Sequence, residues 1–184
     1  MKRLLISVLC IIAISQYFWL QWSSQPQEVA EFDRVALPDY QITALNRTEY
    51  DPNGQIHSKL SAQSLEHYQE LEFTYFQNPR YILYSSNQQQ SWVISANESV
   101  IYDNRQLELE GKVSVMTNQP DEWFDTLYVN RLNMDLTAQT ISTSAKVTGV
   151  ADKLTFSGQG LRGNLKTQEF ELVNQVRAEY FVKQ

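Results

Sequence analysis

Cysteine and histidine are nearly absent: one Cys, Cys10, and two His, His57 and His67, in 184 residues. Neither a disulfide framework nor a Cys/His zinc cluster can be built from them. Basic residues are outnumbered, 15 Lys and Arg against 21 Asp and Glu, for a net charge of −6. No basic cluster is there to neutralise a run of phosphates, which argues against a nucleic-acid partner. A glycine-rich phosphate loop, a nucleophile elbow and a metal-spaced histidine pair are all missing. His57 and His67 fall in separate predicted strands. Asp121, Glu122 and Asp125 share one predicted loop and read as solvated, and Glu108 and Glu110 lie on the polar face of a strand. The chain is therefore not expected to be an enzyme, and no catalytic residue, metal ligand or cofactor is assigned.

One long run without charge stands out, residues 4–20, preceded by Lys2 and Arg3. At ~1.5 Å per residue it is just long enough to cross a hydrocarbon core of ~30 Å. Tyr17, Phe18, Trp19 and Trp22 gather at its end like an interfacial belt, and the flanking charges keep the N-terminus cytoplasmic. Residues 1–22 are read as an uncleaved transmembrane anchor, with Cys10 as a small apolar residue inside it. A cleaved signal peptide is the competing reading, although the bulky end of the run disfavours it. Residues 23–39 carry two prolines and read as a flexible linker.

Residues 40–184 read as all-β. The clearest stretch is residues 95–115, a hairpin in which Val100 and Tyr102 lead into the turn Asp103-Asn104-Arg105-Gln106. Beyond it Leu107, Leu109, Gly111, Val113 and Val115 alternate with polar residues, the period of a strand with one apolar face. The spacing of Tyr102, Leu107 and Val113 recurs in Leu136, Ile141 and Val147, and again in Leu165, Phe170 and Val176. Tyr68, Phe73 and Pro79 make a fainter copy. Such units cannot bury an apolar face alone, so the copies must stack or roll together. The candidate inward row is Leu107, Leu109, Val113, Val115, Ile141, Val147, Phe170, Leu172 and Val176. Val100, Tyr102, Leu132, Met134, Leu136, Leu161 and Leu165 join it from partner strands. Gly111, Gly149, Gly158, Gly160 and Gly163 interrupt the strands, where glycine either lets a sheet curve or leaves room for a ligand. The interior is either a packed core or a groove for an apolar ligand. The two end strands offer unpaired backbone groups for strand addition.

The chain resembles the LptC family, the membrane-anchored component of lipopolysaccharide export. The resemblance rests on the anchor followed by a β-domain, on Tyr50-Asp51-Pro52-Asn53-Gly54, on Leu60-Ser61-Ala62-Gln63, and on Phe76-Gln77-Asn78-Pro79. It continues through Trp92-Val93-Ile94-Ser95-Ala96, the segment from Leu107 to Val113, Arg162-Gly163-Asn164-Leu165, and Val176-Arg177-Ala178-Glu179-Tyr180. It implies an open, V-shaped β-jellyroll in the periplasm, held at the inner membrane by a single-pass anchor. It implies a non-enzymatic protein that takes lipopolysaccharide from the transporter formed by LptB, LptF and LptG and passes it to LptA. The N-terminal edge would meet the transporter and the C-terminal edge LptA. By the resemblance, Leu45 lies near the receiving edge and Phe76 contacts lipid. Phe170 and Tyr180, with Val176, belong to the edge facing LptA, and Gly54 and Gly149 are conformational glycines, with Gly158 and Gly163 beside them. Together with the inward row, the lipid-contacting set is Leu45, Phe76, Tyr102, Leu107, Leu109, Val113, Ile141 and Val147. Phe76 falls out of step with Phe73 and Tyr75, so only a bulge near Pro79 would turn it inward. Two other readings stay open: an anchored envelope scaffold with a packed β-core that binds proteins through its edges, and a cleaved periplasmic lipid carrier.

Overall fold

The computed structural model describes residues 37–84, 90–103, 105–117 and 124–181, together with Gln16. Contacts divide the chain into Met1–Ala36 and Leu37–Gln184. The anchor expected at residues 1–22 lies outside the described residues, apart from Gln16. No helix among the described residues is long and apolar enough to cross a membrane.

The second unit is built from β1 (Tyr40–Tyr50), β2 (Ile56–Tyr68), β3 (Phe73–Gln77), β4 (Arg80–Tyr84), β5 (Gln90–Ser95) and β6 (Glu98–Tyr102). There follow β7 (Gln106–Thr117), β8 (Thr126–Asp135), β9 (Thr140–Val150), β10 (Leu154–Asn164) and β11 (Glu169–Tyr180). All belong to one antiparallel sheet in the order β11-β10-β9-β8-β7-β5-β4-β2-β3-β6, with β1 against β2 and a further pairing of β6 with β7. The all-β reading of this unit therefore stands. The four spaced copies in the sequence each bracket a hairpin turn: β2–β3, β6–β7, β8–β9 and β10–β11.

The turns are held by side chains that accept from the backbone just ahead. Asp135 Oδ1 accepts from Thr137 N at 2.9 Å and Ala138 N at 2.8 Å, and Asn164 Oδ1 accepts from Lys166 N at 2.9 Å and Thr167 N at 3.0 Å. Asp51 Oδ1 does the same for Asn53 N and Gln55 N in the β1–β2 turn. These Asx turns replace the intrinsic turn preference that glycine would give. Only Gly54, at φ +78°, supplies a left-handed glycine there; Gln139 and Gln168 take left-handed angles in the other two turns.

The strands bend at one common level. Ala44 in β1, Asn78 between β3 and β4, Gly111 and Lys112 in β7, Gly160 in β10 and Gln175 in β11 all have positive φ. The ladders shift register between Glu110 and Val113, between Val129 and Asn133, between Gln159 and Leu161, and between Ser157 and Gln159. Gly158 sits at the last of these shifts. Bulges of this kind add twist and bend the strand that carries them, and a row of them folds the sheet across itself. Asn78-Pro79 is the corner from β3 into β4, and Ala96-Asn97 the return corner from β5 into β6. The two are tied by Asn78 N to Asn97 O at 2.6 Å and Ala96 N to Pro79 O at 3.3 Å. Proline suits this place because its missing N–H is not needed by a ladder. Below the corner β3 and β6 link β2 to β7, and above it β4 and β5 do so.

The folded sheet buries its inner face in one main cluster, from Tyr81 and Leu83 through Trp92, Leu109, Val113, Phe124, Val147 and Phe156 to Leu165. Trp92 donates from Nε1 to Leu165 O at 3.0 Å, pinning β5 over the end of β10. Phe124, assigned by its sequence to a loop, is fully buried between Trp92, Phe156 and Phe170. Two glycines serve rings. Gly149 pairs across the ladder with Phe156 and Gly163 with Phe170. A Cβ on Gly149 would lie 1.8 Å from the Phe156 ring and one on Gly163 2.5 Å from the Phe170 ring.

Gly149→Ala is expected to destabilise the fold by about 1–3 kcal/mol through overpacking, measured by chemical denaturation, and a second change, Phe156→Leu, should recover part of the loss. A pH effect follows from Asp135. Its carboxyl is held below the usual carboxylate range chiefly by the Ala138 N–H, with Thr137 N–H, Gln106 and Arg105 adding to it against partial desolvation. A depressed folded-state value means the stabilisation is present above the unfolded value and is lost as pH falls through the folded one. Asp135→Asn keeps an acceptor oxygen without a titration, so its denaturation midpoint should fall less than the parent's between neutral pH and about pH 3.

Candidate functional site

Inside the fold, beside β1, lies a cavity of 370 Å³. Its apolar wall is Leu60 and Leu65 of β2, Phe76 of β3, Tyr81 and Leu83 of β4, Ile101 of β6 and Leu136 after β8. Its polar lining is Arg47, Glu49, His57 and Ser58 with Thr74 and Thr137. Alternation explains the wall: Tyr81 and Leu83 are inward neighbours on β4, and Leu65, Phe76 and Ile101 meet through the ladders of β2, β3 and β6. Arg47 pairs with Glu49, and Ser58 Oγ donates to Glu49 Oε2 at 2.7 Å. Both charged groups are solvated, so the pair adds little stability; it marks the side of the cavity that a polar head could occupy. The Tyr81 ring meets Phe76 edge-on at 6.5 Å, and burial pushes its phenol well up, with Ser99 and Arg47 pulling the other way.

The residues singled out from the sequence divide into separate places. Phe76 is 4% exposed and lines the cavity, and Leu45 on β1 packs against the same small cluster, Ala62, Leu65 and Phe76. Leu107, Leu109, Val113, Ile141 and Val147 are buried in the main cluster with Trp92 and Phe124 instead. Ile141 also lines a shallower hollow of 490 Å³ with Gly163 and Phe170. Phe170 is on the edge strand but half-buried, its ring 5.5 Å from Trp92, while Val176 and Tyr180 are exposed on β11. Gly54 lies in the β1–β2 turn with open space around it.

Four expectations need correcting. Tyr102 is 40% exposed on the outer face against Phe73, not in the inward row. The β6–β7 turn has three residues, not four, so Tyr102 faces Gln106 and it is Ile101 that faces Leu107; a slip of one residue changes the face of a whole strand. Val100 lies on the outer side for the same reason, opposite Tyr75. Phe76 needs no bulge: Phe73 and Tyr75 are the ones that point outward, and Phe76 shares Leu65's face. Val176, placed in the inward row, is exposed beyond the bulge at Gln175.

Sequence reasoning missed Leu60, Tyr81, Leu83 and Ile101 as cavity residues. The alternation of Tyr81 with Leu83 and of Trp92 with Ile94 was a usable signal. Leu109→Ala, in the close-packed cluster, should cost about 2–5 kcal/mol. Ile101→Ala, at the cavity wall, should cost distinctly less, because it widens a space already present. Denaturant midpoints of the two variants measure the difference.

A family model described as "Lipopolysaccharide-assembly, LptC-related" matches residues 7–181. The lipopolysaccharide export system protein LptC of Escherichia coli (strain K12) is 25% identical over 146 residues, covering 79% of this chain and 76% of that protein. Its counterpart in Haemophilus influenzae is 26% identical over 196 residues, covering 95% of this chain and 93% of that protein. Among solved structures, LptH, the LptA-homologous periplasmic component of lipopolysaccharide transport in Pseudomonas aeruginosa, aligns with a TM-score of 0.49 at 9% identity. That alignment covers 69% of this chain and 95% of that one. With the family match running from the apolar N-terminal run to the last described strand, the chain belongs to the LptC-related lipopolysaccharide-assembly family.

Proposed function

We propose that this protein takes part in lipopolysaccharide transport as a non-enzymatic carrier. It receives the lipid from an inner-membrane transporter of LptB, LptF and LptG and passes it to periplasmic LptA. The observation that carries the reading is the cavity within the folded sheet, which has an apolar wall and an equally large polar side that includes Arg47, Glu49, His57 and Ser58. Burying a CH₂ gains ~0.8 kcal/mol, so a lipid with several acyl chains must stay out of water along its route. Contacts to chains alone are undirected dispersion contacts, and they let the chains slide. A cavity of 370 Å³ is at the low end of the ~300–1,000 Å³ of small-molecule sites. It admits a portion of a chain; a complete lipid requires the two layers to part, as in an open, V-shaped β-jellyroll. Residues 1–22 serve as a single-pass inner-membrane anchor with a cytoplasmic N-terminus, 23–39 as the linker and 40–184 as the periplasmic domain. Among the described residues β1 pairs only with β2 and β11 only with β10. These free edges suit strand addition, by the transporter at β1 and by LptA at β11.

A second reading has its own support. Leu107, Leu109, Val113, Ile141 and Val147 are close-packed with Trp92 and Phe124, as in an envelope scaffold that binds proteins through its edges and no lipid. A photo-crosslinking residue at Leu83, in the full chain within cells, separates the two. Capture of lipopolysaccharide at Leu83 and none at outward-facing Tyr128 is the expected result. Absence of lipid adducts from a folded, edge-bound protein would favour the scaffold.

A further inference from the structure

On the outer side of β2, β3, β6 and β7 the sheet carries aromatic rings and carboxylates together. Register sets Tyr68, Phe73 and Tyr102 side by side in one row across the strands, and Glu66, Tyr75, Val100 and Glu108 in the next. Gln77, Glu98 and Glu110 follow in a third. The rings of the first row stand 4.8 Å and 6.2 Å apart, and Tyr102 at its end is 40% exposed. Cross-strand aromatic pairs steady a sheet, so the rings have a structural use. The charges around them do not. Glu98 lies directly opposite Glu110 on the ladder, a like-charge pairing that costs stability. Among the described residues Arg131 pairs with Glu110, while Glu98 and Glu108 have no ion pair. Glu66 accepts from neutral donors, Tyr68 Oη at 2.8 Å and Gln41 Nε2 at 3.3 Å, so its charge is held in place but not cancelled. Of the basic groups nearby, Arg105 lies in the β6–β7 turn and acts on Asp135, and Lys112 sits at the β7 bulge.

We propose that this outer face docks an extended, arginine-bearing segment of a partner protein, whose guanidinium groups stack on Tyr102 and its neighbouring rings and pair with Glu98 and Glu108. Charge complementarity selects the occupant. Anionic head groups and phosphorylated sugars are repelled by these carboxylates, so the face suits neither an anionic bilayer surface nor lipopolysaccharide. A purely apolar partner would cover Glu98 and Glu108 without pairing them. Arginine answers both features: its planar group stacks on an aromatic face while its N–H fork meets a carboxylate. Lysine offers only a point charge. The face is separate from the cavity, which Leu65, Phe76 and Ile101 line from the inner side of the same strands. It therefore serves a protein contact whether or not the cavity takes lipid, and it leaves the edges at β1 and β11 open for strand addition.

The test is fluorescence anisotropy with the full chain in a neutral detergent micelle, titrated against two short labelled peptides, one alternating arginine with glycine and one alternating lysine with glycine. The arginine peptide should bind saturably and roughly threefold more tightly than the lysine peptide. Tyr102→Ala should bring that ratio to about one. The double variant Glu98→Gln with Glu108→Gln should weaken both peptides by roughly fivefold, the range for two exposed ion pairs. Asp152→Asn with Glu171→Gln, which removes the same charge on the β9–β11 side, should leave binding unchanged. Absence of binding overturns the proposal. So does an equal loss in the two double variants, which would mean attraction to net charge alone, and so does an arginine preference that survives Tyr102→Ala. A parent protein that is dimeric by light scattering and monomeric as Tyr102→Ala would give the face to a second copy of the chain and overturn it as well. Should Tyr102→Ala not fold, the parent's ratio and the two double variants still decide.

Discussion

Everything in the β-domain depends on the level at which its strands bend. An antiparallel sheet with one apolar face must cover that face, and a chain with no packing helix among its described residues has only the sheet itself to cover it with. The row of bulges and left-handed residues through Ala44, Asn78, Gly111, Lys112, Gly160 and Gln175 does this by folding every long strand at about the same height. Each left-handed non-glycine residue costs local energy. The cost is offset by the apolar area that the second layer removes from water, ~25 cal/mol per Å².

Once the sheet is folded, packing decides where the interior is full and where it is hollow. Over β8–β11 it is well filled: Trp92, Phe124, Phe156 and Phe170 meet tilted or edge to face, and Gly149 and Gly163 lack the Cβ that would strike two of those rings. Beside β1 the wall is part aliphatic, from Leu60, Leu65, Leu83 and Ile101, and part aromatic, from Phe76 and Tyr81, and it bounds the cavity. The glycines that could have made room for a ligand make room for the protein's own aromatics. The cavity lies elsewhere, bounded by Phe76, Tyr81 and Ile101.

That division bears on how a carrier of this family could work. The well-packed end presents a long, exposed edge strand, β11, whose outer side meets no further strand among the described residues. A less filled end offers apolar contact at little cost in displaced packing. In the proposed carrier, acyl chains would enter at the less filled end and advance by displacing weak, undirected contacts.

Composition, the period of two and the turn residues determined that the described residues from Tyr40 to Tyr180 form an antiparallel β-structure, where its hairpins lie, and that Leu107, Leu109, Val113, Ile141 and Val147 face inward. These features are local, and local chemistry is what a sequence displays: Asp51, Asp135 and Asn164 close their turns with their own side chains. Motif order carried the family, because short matches in series are specific where each alone is not. The face of β6 was not legible, since it hangs on whether a turn has three residues or four. Nor were the bends at Ala44, Lys112 and Gln175, which use residues with no intrinsic preference for left-handed angles and adopt them because neighbouring strands bend at the same level. The burial of Phe124 and the existence of the cavity were decided by tertiary structure alone. Both depend on which strands lie across from one another in the second layer, and that pairing is set by the fold line, not by any residue's own neighbours in sequence.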